Sequence, residues 1–210
     1  MRSDLVIRQF TDLQRYETLF QQMRDFTLQR TPETPDELWL LEHHPVFTQG
    51  QAGKPEHLLS TSEIPVVQSD RGGQITYHGP GQLILYPLFD LHRQQSGIQL
   101  FTQFLQNCLI NLLTQFEIQG ECQAGAPGVY VNGAKIASIG LRVRHGRTYH
   151  GMSLNVNMDL TPFQQINPCG FANLAMTQIS DFVPNIQISD VIPRLLPLLN
   201  QPLPTLEMSP

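Results

Sequence analysis

Between residues 71 and 82 the chain reads Arg-Gly-Gly-Gln-Ile-Thr-Tyr-His-Gly-Pro-Gly-Gln, four glycines and a proline among residues that also carry chemistry. Glycines this dense permit positive φ and let a ligand approach the main chain closely. The flanks, Ile64-Pro65-Val66-Val67 and Leu83-Ile84-Leu85-Tyr86, are apolar and β-prone, so the segment hangs from strands. It lacks the Gly-x-x-x-x-Gly-Lys-Ser/Thr of a phosphate loop, and no Gly-x-Gly-x-x-Gly opens a helix. The expectation is a site wall made largely of backbone, carried on a β-scaffold.

The remaining pattern supplies that scaffold. Asp4 to Phe10 reads as a strand, and Thr11-Asp12-Leu13-Gln14 has the form of a capping box. Leu13, Tyr16, Leu19, Phe20, Met23 and Phe26 then recur at helical spacing to about Arg30. Leu38 to Leu41 is a continuous apolar strand suited to burial on both faces. Leu83 to Phe89 is another strand, and Ile98 to Phe116 a second helix striped by Phe101, Phe104, Leu105, Cys108, Leu109, Leu112, Leu113 and Phe116. Asn132-Gly133 is a strong hairpin signal between Gly128–Val131 and Lys135–Val143; His145-Gly146 is a second turn before Thr148–Met158. Asp159 to Ala172 is loop-rich, and a last helix from about Ser189 carries Pro193 and Pro197. This order predicts an α+β fold, a mixed and largely antiparallel sheet flanked by helices.

At 210 residues with 40% hydrophobic content, one domain spanning residues 1–210 is expected. A net charge of -5 argues against a nucleic-acid binder. The start, Met1 to Ile7, has no long apolar core, and no run approaches the roughly 18 residues of a membrane span. Three cysteines, Cys108, Cys122 and Cys169, lack Cys-x-x-Cys spacing, and His43-His44 are adjacent, so neither disulfides, a metal nor a cofactor is expected. The composition suits a cytoplasmic protein with reduced thiols.

Cys108 belongs to a helix stripe and Cys122 has no chemical context, whereas Cys169 is held between Pro168 and Gly170. A free thiol is only a few per cent thiolate at pH 7, so a catalytic cysteine needs a cation or hydrogen-bonding neighbour. Lys135, His78 and His150 are the available partners; for Lys135 an edge-strand role against aggregation is the plainer reading. Arg142, Arg144, His145 and Arg147 form a basic cluster, either a solvated hairpin tip or a landing patch for an acidic partner.

Taken together, Arg71 to Gln82, Lys135-Ile-Ala-Ser-Ile-Gly140, His150-Gly-Met-Ser-Leu-Asn155 and Asn167-Pro-Cys-Gly170 resemble the lipoyl(octanoyl) transferases of lipoate biosynthesis. Glu42-His-His-Pro-Val-Phe-Thr48 and Gly128-Val-Tyr-Val131 fit as well, so the resemblance runs from about Leu38 to Phe182. It implies a fold like the catalytic domain of biotin and lipoate protein ligases. It implies transfer of an octanoyl group from acyl carrier protein to a lysine of lipoyl domains, in 2-oxoacid dehydrogenase subunits and the glycine cleavage H protein. Cys169 would carry the acyl thioester and Lys135 would favour its thiolate. The acyl group would lie against Arg71, Gly72, Gly73, Gln74, Ile75, Thr76, Tyr77 and His78, against Ser138, Ile139 and Gly140, and against Gly151, Met152 and Ser153. The alternatives are an ATP-dependent lipoate or biotin ligase of similar fold, a non-catalytic acyl-binding protein and a cysteine hydrolase. No nucleic acid or membrane partner is implied.

Overall fold

The computed structural model describes residues 5–60, 63–172 and 174–206. In chain order the elements are β1 (Val6–Gln9), α1 (Tyr16–Gln29), β2 (Glu37–Leu41), β3 (Val46–Gln49), β4 (Val66–Gln68), β5 (Ile75–His78), β6 (Gln82–Leu88), α2 (Ile98–Thr114), β7 (Glu121–Gln123), β8 (Ala126–Val131), β9 (Ala134–Arg144), β10 (Arg147–Asn155) and α3 (Ile188–Leu199). Asp4, where the first strand was expected to start, lies outside the described residues.

Seven strands form the main sheet in the order β1-β2-β6-β10-β9-β8-β7. Only the β1–β2 pair is parallel. Period-two alternation divides its side chains between two cores. Leu38, Leu40, Leu83 and Leu85 join the buried stripe of α2 and the apolar face of α3, while Trp39, Leu41, Ile84 and Tyr86 meet Leu19 and Met23 of α1. That sandwich explains why every residue of β2 is buried. Asn132 and Gly133, at φ 51° and 80°, and His145 and Gly146, at 50° and 71°, close the two hairpins with left-handed pairs that match strand twist.

Two features depart from expectation. Thr11 to Gln14 makes no capping box: the residue preceding α1 is Arg15, without a side-chain cap. The Gln14 N–H bonds to the Glu42 carbonyl and Gln14 bridges to His43, so sheet pairing takes the backbone a cap would need. The glycine segment is not all loop either. Its middle is β5, which pairs antiparallel with β3, and β3 pairs parallel with β4, giving a second sheet of order β4-β3-β5. This small sheet holds the glycine segment over the β9–β10 pair, where the Gly72 N–H bonds to the Leu141 carbonyl at 3.0 Å. No helix among the described residues is long and apolar enough to cross a membrane.

Candidate active site

Cys169 sits in a short 3-10 turn, Pro168–Gly170, with φ 56° and ψ 17°. A non-glycine residue held there stores strain of about 1–3 kcal/mol, and the surroundings enforce it. The Gly170 N–H bonds to the Asn167 carbonyl, the Phe171 N–H to the Pro168 carbonyl, and the Asn167 N–H to the His57 carbonyl at 2.8 Å. Gly170 follows at φ 80°, and a Cβ there would lie 2.1 Å from Nε2 of Gln74. The Asn-Pro-Cys-Gly turn is thereby pressed against the glycine segment.

Lys135 meets it from β9. An edge-strand role does not hold, because β9 lies between β10 and β8 and Lys135 is 1% exposed. Its Nζ donates to Sγ of Cys169 at 3.1 Å. Its backbone is clamped as well, the N–H bonding to the Ala175 carbonyl and the carbonyl accepting from the Thr177 N–H. The stem crosses Gly128, where a Cβ would come within 2.7 Å of Cε. Among the described residues no carboxylate pairs with this ammonium. Burying a cation without a counter-charge is expensive. The sulfur is the group placed to supply that charge, so the arrangement suits a thiolate–ammonium pair.

The pair opens onto a cavity of about 400 Å³ with a mainly apolar lining, a size and character that suit a small acyl group. Its floor is the β9–β10 pair, with Ser138 opposite Ser153 and Gly140 opposite Gly151. Its roof is the glycine segment. Cys169, Lys135, Arg71, Gly72, Gly73, Gln74, Thr76, His78, Ser138, Ile139, Gly140, Gly151, Met152 and Ser153 all line it. Ile75 and Tyr77 do not. Alternation along β5 turns them to the opposite face, where they pack with Phe47 and Phe163. Tyr16, Tyr86, Ile98 and Phe171 also line the cavity without having been marked by sequence. Tyr86 carried a readable signal, since it shares a face with Ile84 on β6; the others are placed by tertiary packing.

Beneath the roof lies a chain of polar groups with one consistent donor order. The Arg71 guanidinium donates to Thr48 Oγ1 and to the carbonyls of Thr48, Gly72 and Gln74. Thr48 O–H donates to His78 Nε2, and His78 Nδ1–H donates to Gln82 Oε1 at 2.7 Å. Burial, the largest influence, pushes His78 down to about 3 and His43 down to about 4. His78 is therefore neutral with both nitrogens engaged, unfit to act as a base. Burial also lowers His150, against the pull of Asp70 on its Nε2–H. His150 pairs with Leu141, six residues along β9 from Lys135, roughly 20 Å at strand rise. Lys135 alone of the three candidate partners reaches the sulfur.

The basic cluster divides. Arg147 turns inward to Asp90 and the Arg30 carbonyl, and Arg142 bonds Gln51, leaving Arg144 exposed at the hairpin tip. Among the described residues no group of His, Cys, Asp and Glu could hold a metal ion.

The model of the lipoyl protein ligase A/B catalytic domain matches residues 13–199. The chain belongs to this family. Within it, the octanoyltransferase of Pseudomonas entomophila is 57% identical over 183 residues, covering 87% of this chain and 85% of that protein. The octanoyltransferase of Legionella pneumophila (strain Paris) is 58% identical over 176 residues, covering 84% and 88%. Among solved structures, a bi-partite lipoate protein ligase from Thermoplasma acidophilum aligns with a TM-score of 0.72 at 14% identity, covering 100% of this chain and 88% of that one. Biotin protein ligase from Aquifex aeolicus gives 0.55 at 10%, covering 95% and 68%. These distant likenesses establish the ligase-type α+β fold, with its largely antiparallel sheet.

Proposed function

We infer that this chain is an octanoyltransferase of lipoate synthesis that works through an acyl-enzyme on Cys169, with acyl carrier protein as donor and lipoyl domains as acceptors. The observation that carries the reading is the buried contact of 3.1 Å between Lys135 Nζ and Cys169 Sγ, open to an acyl-sized cavity. The high identity to octanoyltransferases supports the acyl group. The fold shared with a bi-partite lipoate protein ligase whose structure is described together with its E2 lipoyl domain supports the acceptor class.

The chemistry follows from the pair. The Cys169 thiolate attacks the donor thioester carbonyl, a C–S bond forms, and the carrier's C–S bond breaks. The departing thiolate takes the proton of Lys135, which becomes a neutral amine beside an uncharged acyl-sulfur. The acceptor lysine arrives mostly as an ammonium, since its ordinary pKa is about 10.4. Lys135 takes one of its protons, and the freed amine attacks. A C–N bond forms, sulfur leaves as thiolate, and it is paired again with the Lys135 ammonium. The amide nitrogen's second proton passes to water. One thioester becomes one amide, so no ATP enters the cycle. The cavity's apolar lining keeps water from discharging the intermediate.

A donor test separates this reading from an ATP-dependent ligase. Octanoyl-acyl carrier protein alone should octanoylate a lipoyl domain, and free octanoate with ATP should not. Activity only with octanoate and ATP would overturn the reading.

A further inference from the structure

Lys135 must hold its charge in one half of the cycle and release it in the other, yet the sulfur accounts for one side of its ammonium only. Tyr130 of β8 lies on another. It stands opposite Lys135 in the β8–β9 register, is fully buried, and places Nζ 5.2 Å from its ring centroid. This is within the reach of a cation–π contact. A β-bulge between Val129 and Tyr130 shifts the register at this position. Gly128, at φ 140°, leaves the space through which the lysine stem passes to reach the ring. The Tyr130 hydroxyl is turned away, donating to the Ala126 carbonyl at 3.3 Å, so the face and not the phenol serves the lysine.

We propose that Tyr130 is a positioning residue for the reaction, its ring face holding the Lys135 ammonium against Cys169 and supplying an attraction that persists once the thiolate has been acylated. The charged groups around this contact are few. Cys169 faces Lys135 from the nucleophile turn and Tyr130 from β8; Arg71, whose field also reaches Cys169, is tied to Thr48 and Gln74 in the roof. In the resting enzyme, sulfur and ring act together and the ion pair stands ready. In the acyl-enzyme, among the described residues, only the ring remains, a neutral quadrupole too weak to hold a buried proton firmly. Lys135 can then lose that proton and later take one from the incoming amine. The ring thus sets how far the lysine swings between its two states. This inference rests on the acyl-enzyme reading above, but its first test does not need the acyl group.

Iodoacetamide alkylation of Cys169 is measured from pH 5 to 9 by peptide mass spectrometry, which separates it from the exposed Cys122. Tyr130→Phe keeps the ring face and should stay within about twofold of wild type with an unmoved profile. A multiply fluorinated phenylalanine at the same position keeps the shape and drains the face of negative potential. It should move the rising limb up by about 0.7 pH unit, which slows alkylation about fivefold at pH values on that limb. Tyr130→Leu should do the same, with a lowered Tm. If the fluorinated ring behaves as Tyr130→Phe does, the ring is only filler and the proposal is overturned. If wild type shows the expected profile but transfers no octanoyl group, the functional reading fails and the ring's role stands.

Discussion

Replacing Gly128 by alanine tests the geometry that delivers Lys135 to the sulfur. The added Cβ would lie 2.3 Å from the Ala137 carbonyl oxygen and 2.7 Å from Lys135 Cε, at a φ of +140° that L-residues avoid. The carbonyl belongs to the partner strand and cannot retreat without parting the β8–β9 register, in which Gly128 faces Ser138 and Val129 faces Ala137. Backbone strain of about 1–3 kcal/mol adds to a similar overpacking cost, giving roughly 2–6 kcal/mol. For a chain of this size, at about 2–4 °C per kcal/mol, the Tm should fall by roughly 4–24 °C. Function should suffer beyond that, since a shift of about 1 Å in a reacting group costs on the order of a hundredfold. The assay pairs a thermal melt with the rate of Cys169 alkylation at pH 7. Gly133→Ala is the control: its φ is +80° with nothing within 4 Å of the new Cβ, so it should lose about 1 kcal/mol and leave Cys169 reactivity intact. A Gly128→Ala protein that melts like Gly133→Ala and alkylates like wild type would refute the reasoning.

Acid should destabilise the fold in a definite window. His43 and His78 are held near 4 and 3 by burial, below the ordinary 6.5, so the unfolded chain binds the extra protons and stability is lost as pH falls below 6.5. The two should together remove about 3 kcal/mol between pH 6.5 and 5, and a Tm unchanged over that interval would contradict it. Gly151→Ala would bring a Cβ within 2.0 Å of the Leu85 carbonyl, so β6 and β10 should separate locally; a Tm within 2 °C of wild type on a melt would show that the strands give way more easily than about 1–3 kcal/mol of overpacking implies. Arg142→Glu with Arg144→Glu should raise KM for an acidic carrier substrate about three- to tenfold at low salt and flatten its salt dependence; an unchanged salt profile would exclude the hairpin tip as a landing patch.

What sequence made legible was local. Strands and helices with unbroken apolar patterns, such as Leu38–Leu41 and the α2 stripe, appear where the pattern puts them, and both left-handed hairpin turns follow from Asn132-Gly133 and His145-Gly146. Of the small sheet only the β4 flank was anticipated; β3 and β5 run just four residues each, too short for periodicity to register. The resemblance set Ile75 and Tyr77 on the acyl wall with their neighbours, whereas alternation along β5 sends them into another core. The meeting of Lys135 and Cys169 depends on the Ala175–Thr177 backbone docking on β9, which no local signal announces. Only the resemblance to a known family joined those two residues in advance. It included Tyr130 among the matching residues but gave it no role; the place of that ring under the ammonium comes from a bulge and a glycine.

The acyl-enzyme is the centre of the account, and intact mass reads it directly. After incubation with octanoyl-acyl carrier protein and no acceptor, the protein should gain the mass of one octanoyl group. A lipoyl domain should discharge it, and Cys169→Ser should never acquire it. An enzyme that octanoylates the acceptor with no adduct on Cys169, or a Cys169→Ser variant of undiminished activity, would contradict the account.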